Sequence, residues 1–428
     1  RSSLQGIRPN ANERGCAAGI TVDCAAGAGE VRGVSRPPNI LWIVTTQWRA
    51  QACGYAGDPN ARTPQLDALA AGSINHAQAV TPHPFGPFAR AAMLTGVASP
   101  ENGVGDYYDP LPAGTRTIAH LLHERGYTTA FFGKWHLGPR SRTAPLVGDV
   151  HAMTIVPPEY RGGFEFWEGF ESGFVLNDPW LHGTRLPAPV QFPGYQSNVL
   201  GERAAQWTER AGPWFCVVSL EVPHPPYDAP SAGIFRRDPA SLTLAPNVPA
   251  AAAAKARGEL AGYHAHIEAT DRAIGRLVGA VDLARTVVMF TSVHGDMHGA
   301  HGLFRKGWPH EESVRVPLLV RAPGGEAGRD TAAVSLIDLP AMTLAWAEGS
   351  PAGPARTVAR ISMPSVVAFP QQCDRVWRGV RSPTRKLVLN ADGSPWLYFD
   401  LETDPWEMEN LADSARHAAE ITAWRGLI

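Results

Sequence analysis

Apolar residues gather in five short, nearly unbroken runs: "NILWIV" (39–44), "TTAFFG" (128–133), "WFCVVSL" (214–220), "TVVMFTS" (286–292) and "VPLLVRA" (316–322). Each is rich in β-branched and aromatic residues and too short for an ordinary helix, so each reads as a strand buried on both faces of a parallel sheet. Helical patterns lie between them. "TPQLDALAAG" (63–72) offers a Thr cap followed by Pro at the first helical position. Over 260–281, Leu260, Tyr263, Ile267, Ile274, Leu277 and Val281 share one helical face, and the preceding "PAAAAAKARGEL" reads as the start of that helix. Alternating strands and helices predict a doubly wound α/β core. Beyond about residue 346 the pattern changes. After the Pro- and Gly-broken "EGSPAGPAR", the segments "RVWRGVR", "RKLVLN" and "PWLYFD" read as short strands of an antiparallel subdomain, with a helix near the end. The expected organisation is a flexible leader over 1–37, an α/β domain over 38–345 and a C-terminal subdomain over 346–428.

Composition narrows the class. The chain has 428 residues, enough for a large core. It is 44% hydrophobic and 18% charged with a formal net charge of −2, as in ordinary globular proteins, which gives no sign of a nucleic-acid or membrane partner. The opening "RSSLQGIRPNANERGCAAGITVDCAAGAGEVRGVSRPP" has no apolar signal core. Five scattered cysteines, Cys16, Cys24, Cys53, Cys216 and Cys373, show no zinc-ligand spacing. These features give the expectation of a reducing, cytoplasmic setting, with homo-oligomerisation left open.

In an open α/β sheet, ligands collect beyond the carboxyl ends of the strands. After the first run come Thr45, Thr46 and Gln47, and after the second come Lys134 and His136 in "GKWHLG". After the third comes His224 in "EVPHPPYDAP", and after the fourth come His294, His298, His301 and Lys306 in "VHGDMHGAHGLFRKGWPHEE". "PFGPFARAAMLTG" (84–96) adds Arg90 where a loop enters a helix. Taken singly, a His or Lys at a strand end is most often a solvated or satisfied side chain. Four strand ends supplying the same chemistry point to one basic, histidine-rich pocket.

From Asn39 to the C-terminus the chain resembles the sulfatase branch of the alkaline phosphatase superfamily, the branch with choline sulfatases and phosphonate monoester hydrolases. The resemblance is carried by "TPQLDALAAGS", "RAAMLTG", "GKWHLG", "PHPPYDAP", "TSVHGDMHGAHGLFRKG", "EESVRVPLLVRAPG" and "LYFDLETDPWEMENLAD", in family order. It implies an alkaline phosphatase-like doubly wound sheet with a small C-terminal antiparallel sheet. It also implies a Cys or Ser, converted to formylglycine, in the loop before "RAAMLTG". Gly86 stands there instead. The family's divalent ion, commonly calcium, is held by carboxylates after the first strand and by an Asp with His or Asn after "TS". Thr46, Gln47 and Val293 stand at those carboxylate positions, with His294 retained. The positions that contact sulfate, protonate the leaving oxygen or steady the nucleophile loop match Lys134, His136, His224, Lys306 and Arg90.

Loss of nucleophile and metal ligands with retention of the basic half favours a repurposed pocket. The expectation is an enzyme acting on a small sulfo, phospho or carboxylate compound without metal or other cofactor. His136, His224 and His294 would be its acid–base groups, titrating near neutral pH. Arg90, Lys134 and Lys306, unopposed by carboxylates, would hold the anion together with Thr46 and Gln47. One alternative is a catalytically inactive binding or scaffold protein on the same fold. Another is a hydrolase with its nucleophile moved to Thr45 or Thr46, or with a new zinc site using His83, His294 or His298.

Overall fold

The computed structural model describes residues 36–350, 356–366, 370 and 372–428. The leader expected over 1–37, with Cys16 and Cys24, thus lies almost wholly outside the described residues. From Pro37 to Ile428 the chain is one compact unit, and no helix among the described residues is long and apolar enough to cross a membrane.

The main sheet has ten strands: β1 (Asn39–Thr45), β2 (Ile74–His76), β3 (Thr128–Lys134), β4 (Phe166–Phe170), β5 (Trp180–Gly183), β6 (Val190–Gln191), β7 (Trp214–Ser219), β8 (Thr286–Ser292), β9 (Leu318–Arg321) and β10 (Gly328–Asp330). Their spatial order is β10-β2-β9-β8-β1-β7-β3-β4-β5-β6. The central run β8-β1-β7-β3-β4 is parallel throughout. The sheet is mostly parallel, as expected, although β9, whose run read as one of the parallel strands, runs antiparallel to both β8 and β2. Its segment returns from β8 through about two dozen residues that hold only short helical turns.

Alternate residues of each central strand feed two cores. Ile40, Trp42 and Val44 of β1 face one, with α2 (Gly86–Thr95) and residues of the C-terminal sheet. Leu41 and Ile43 face the other, with α1 (Pro64–Ala71) and the long helix Ala250–Gly279. That helix begins in the Ala-rich stretch and buries Leu260, Tyr263, Ile267, Ile274 and Leu277, as its periodicity predicts. The Thr63 cap does not form. Its hydroxyl donates to the Asp67 carboxylate and accepts from the Gly54 N–H, and accepts no backbone N–H of the helix's first turn. The C-terminal antiparallel sheet has four strands, with Ala359–Met363 joining Trp377–Arg381, Arg385–Asn390 and Pro395–Asp400.

Registers align the carboxyl ends that matter. Thr45 pairs with Ser292, Val44 with Ser219, and Gly133 with Ser219. The segments after β1, β3, β7 and β8 therefore open at one edge of the sheet. Gly133 makes the close approach of β3 and β7 possible, because its φ is +100° and a Cβ there would sit 2.1 Å from the Ser219 carbonyl oxygen.

Candidate active site

A cavity of about 280 Å³ lies at that edge. Thr46, Lys134, His136, His224, His294 and Lys306 line it, and its walls are mostly apolar, with Phe85, Tyr107, Leu146, Phe174, Pro225 and Pro226. Six of the eight residues expected from the sequence meet here. The other two, Arg90 and Gln47, stand behind the wall.

Arg90 is buried because α2 begins at Gly86 and carries it inward beneath the sheet edge. Its guanidinium donates to the Lys134 carbonyl oxygen (3.0 Å), Ser219 Oγ (2.6 Å) and Thr46 Oγ1 (2.8 Å). Burial lowers its pKa to about 10, and its role is to join three strand ends. Lys134 departs from the expectation in the same way. Its Nζ lies 2.6 Å from Glu221 Oε1 and both side chains are buried, so it is not an unopposed cation. Burial pulls the Lys134 pKa down while Glu221 resists the shift. Glu221 lies two residues beyond the end of β7 in "SLEVPHPP", and a carboxylate beyond a buried strand was the available signal for it.

Lys306 is different. Its Nζ donates to Gln47 Oε1 (2.7 Å) and to His224 Nε2 (2.9 Å), both neutral. Burial, with repulsion from Lys134, brings its pKa down to about 7. Behind it, the Gln47 Nε2 donates to Asp296 and to Tyr227. Asp296 also accepts from the Tyr227 hydroxyl (2.5 Å) and from the His298 and Arg305 backbone N–H groups. Burial pushes the Asp296 carboxyl up, but His298, Arg305 and these hydrogen bonds outweigh it and hold the group below its usual range. Asp296 and Tyr227 both lie inside quoted motifs, yet nothing in the linear order tells that they meet beneath Gln47.

The three histidines do not titrate near neutral pH as expected. Burial first, then the surrounding Lys and Arg charges, holds His136, His224 and His294 well below the usual imidazole value. Nδ1 of His224 donates to the Pro225 carbonyl and Nδ1 of His294 to the Gly295 carbonyl, each at 2.9 Å, so each neutral ring keeps an Nε2 lone pair. His136 has a left-handed φ of +61° and its Nε2 lies 3.1 Å from the Tyr107 hydroxyl. Its Nδ1 is buried without a hydrogen-bond partner and faces Gly86, where a Cβ would come within 2.8 Å of it. The imidazole thus fills the space into which a nucleophile at position 86 would grow.

The alternative nucleophiles are engaged elsewhere. Thr45 Oγ1 donates to the Thr291 carbonyl and Thr46 Oγ1 to the Leu220 carbonyl. Nor do His83, His294 and His298 assemble a zinc site. His83 is held by Ser99 and Ser362, while His298 packs on Tyr263 and Tyr227. Among the described residues, one His/Cys/Asp/Glu group has metal-ligand proximity, and it is His301, His310 and Glu407.

A sulfatase family profile matches residues 38–350. The chain is 38% identical over 300 residues to an ulvan-active sulfatase of Formosa agariphila, a match covering 67% of this chain and 56% of that protein. It is 26% identical to a choline-sulfatase of Rhizobium meliloti, over 91% of this chain and 86% of that one. Among solved structures, the putative sulfatase yidJ from Bacteroides fragilis has the same fold, with a TM-score of 0.80 at 23% identity over 92% of this chain and 95% of that one. The phosphonate monoester hydrolase of Agrobacterium radiobacter shares the fold as well, with a TM-score of 0.68 at 22% identity over 91% of this chain and 94% of that one. The chain belongs to the sulfatase family.

The family's divalent cation does not suit these residues. A hard ion needs several oxygen ligands, preferably anionic. Here Val293 offers none, Thr46 Oγ1 is already bonded to Arg90 and Leu220, and the Gln47 carboxamide oxygen is taken by the Lys306 ammonium.

Proposed function

We propose that this member of the sulfatase family binds a small sulfo, phospho or carboxylate compound in the pocket and acts on it without a divalent cation or formylglycine. One observation carries the reading. The Lys306 ammonium is hydrogen-bonded to Gln47 Oε1 and His224 Nε2, so a cation of the protein itself engages Gln47, which stands where the family resemblance implies a metal ligand. An oxyanion in the pocket would gain a charge-assisted bond from Lys306. On a sulfate or phosphate ester, the same ammonium is the proton donor for the departing oxygen. His224, whose Nε2 lone pair accepts the Lys306 hydrogen bond, relays the proton released by the incoming water back to the amine. Water from the pocket mouth supplies the incoming oxygen, since position 86 has no side chain. The relatives whose names specify sulfate esters support that substrate class.

Calorimetry with sulfate, phosphate and methanesulfonate tests the binding part. The parent binds at least one of them at millimolar concentration or tighter, and Lys306→Ala weakens binding about ten- to a hundredfold. Equal binding by parent and variant would sink the reading. A second reading, an inactive binder, draws on His136 packing against Gly86. It predicts the same anion binding but no turnover of any aryl sulfate or phosphate.

A further inference from the structure

The last part of the histidine-rich segment lies away from the pocket, against the C-terminal sheet. His301 and His310 stack there with ring centroids 4.2 Å apart, and Glu407 joins them from the segment after the last strand. One ligand atom from each lies within 4.8 Å of the other two. His310 Nδ1 stands 3.3 Å from Glu407 Oε2, within ion-pair distance and about the separation of two ligand atoms on a tetrahedral zinc, but without the alignment of a good hydrogen bond. His301 Nε2 is also short of a partner. Nδ2 of Asn247 faces it at 3.2 Å but also faces Glu312 Oε1 (2.8 Å) and the Trp406 carbonyl (3.1 Å). An amide nitrogen has two hydrogens, so three acceptors cannot all be served, and the longest contact is the one to His301. Glu312 Oε2, buried beside them, has no donor.

Two of the three residues hold the left-handed backbone, His301 at φ +54° and Glu407 at φ +57°. Such conformations are costly for non-glycine residues and persist where the surroundings demand them. Lys386 neutralises part of the cluster through Glu407 Oε1 (2.5 Å) and Glu311 Oε1 (2.9 Å). Glu407 Oε2 accepts the Glu311 N–H at 2.8 Å and remains on the histidine side.

We propose that His301, His310 and Glu407 form a transition-metal site, suited best to zinc, that fastens the loop bearing Arg305 and Lys306 to the C-terminal sheet. Two imidazoles and one carboxylate are a zinc donor set, and a water can complete four-coordination. The site is separate from the pocket and does not depend on what the pocket binds.

The test uses the full chain stripped with chelator, then titrated with zinc chloride and, separately, cobalt chloride. About one zinc per chain should bind and raise Tm. Cobalt(II) should give the visible absorption of a four-coordinate nitrogen–oxygen site, which zinc bleaches. His310→Phe, which keeps a ring in the stack, and Glu407→Gln should each weaken zinc at least about tenfold, whereas His224→Ala should leave it unchanged. Absence of stoichiometric zinc and cobalt binding in the parent would overturn the proposal, and so would full affinity in both ligand variants or loss of zinc in His224→Ala. The parent cobalt spectrum decides the matter even if a variant fails to fold. Sulfate binding to the zinc-free parent is measured alongside, so that failure of the metal site and failure of the anion pocket are read apart.

Discussion

The two lysines of the pocket have opposite surroundings. On the β3–β7 side, Lys134 is closed into an ion pair with Glu221, and Arg90 is held by three oxygen acceptors. On the β8 side, Lys306 touches only neutral groups at hydrogen-bond distance, with Asp296 one side chain further back. A buried ammonium beside a carboxylate is part of the framework, and removing either partner strands a charge. A buried ammonium among neutral dipoles is poorly stabilised and gains most from an incoming anion. Both read simply as basic residues at strand ends. Their difference in use comes from what faces them.

The largest test of this contrast is stability. Lys134→Met leaves Glu221 buried without its cation and should cost about 3–5 kcal/mol in denaturant unfolding. Lys306→Met removes a charge that burial disfavours, so it should be neutral or stabilising. Equal losses in the two variants would break the comparison.

Next in size is Gly86→Ser. The new Cβ meets His136 Nδ1 at 2.8 Å, and overpacking of this kind should cost about 1–3 kcal/mol. His136→Ala in the same chain should recover most of it. Neither Gly86→Ser nor Gly86→Cys should gain turnover of 4-nitrophenyl sulfate, because the metal-ligand positions are unchanged.

The third test is pH. Lys306 has a pKa of about 7 in the folded chain against an ordinary 10.5. Sulfate has no titration in this range and needs the ammonium. Its affinity should fall about tenfold per pH unit, or about 1.4 kcal/mol, as pH rises above about 7. Lys306→Arg should flatten the profile. Stability moves the other way. Between about 7 and 10.5 the unfolded chain holds the proton that the folded chain has lost, so the folded state gains stability as pH rises through that window and loses it as pH falls back through 7. A flat sulfate profile in the parent would mean that Lys306 is not the anion's contact.

The smallest expected effect is that of calcium. Adding calcium or magnesium should leave Tm and sulfate affinity within error, since Val293, Thr46 and Gln47 provide no free anionic oxygen. A clear rise in either, reversed by chelation, would return the pocket to the metal-dependent pattern of its family.

Much of this protein was legible in its linear order. Buried parallel strands must be apolar on both faces, so four of the five runs marked the central sheet within a residue or so at each end. Ligands gather beyond such strands, so Thr46, Lys134, His136, His224, His294 and Lys306 could be named together before any coordinate. That Gly86, Thr46 and Val293 stand where the family resemblance implies a nucleophile and metal carboxylates was equally visible, because once the resemblance is drawn only residue type is needed. Partnership was not. That Glu221 neutralises Lys134, that Gln47 passes the charge of Asp296 toward Lys306, and that burial keeps three histidines neutral all depend on side chains brought together from distant segments. The same holds for His301 and Glu407, which meet across more than a hundred residues of chain. Hydrophobic periodicity records which face of an element is buried and so survives in sequence. Charge state and hydrogen-bond pairing depend on distances of a few ångströms and on desolvation, and these exist only once the chain has packed.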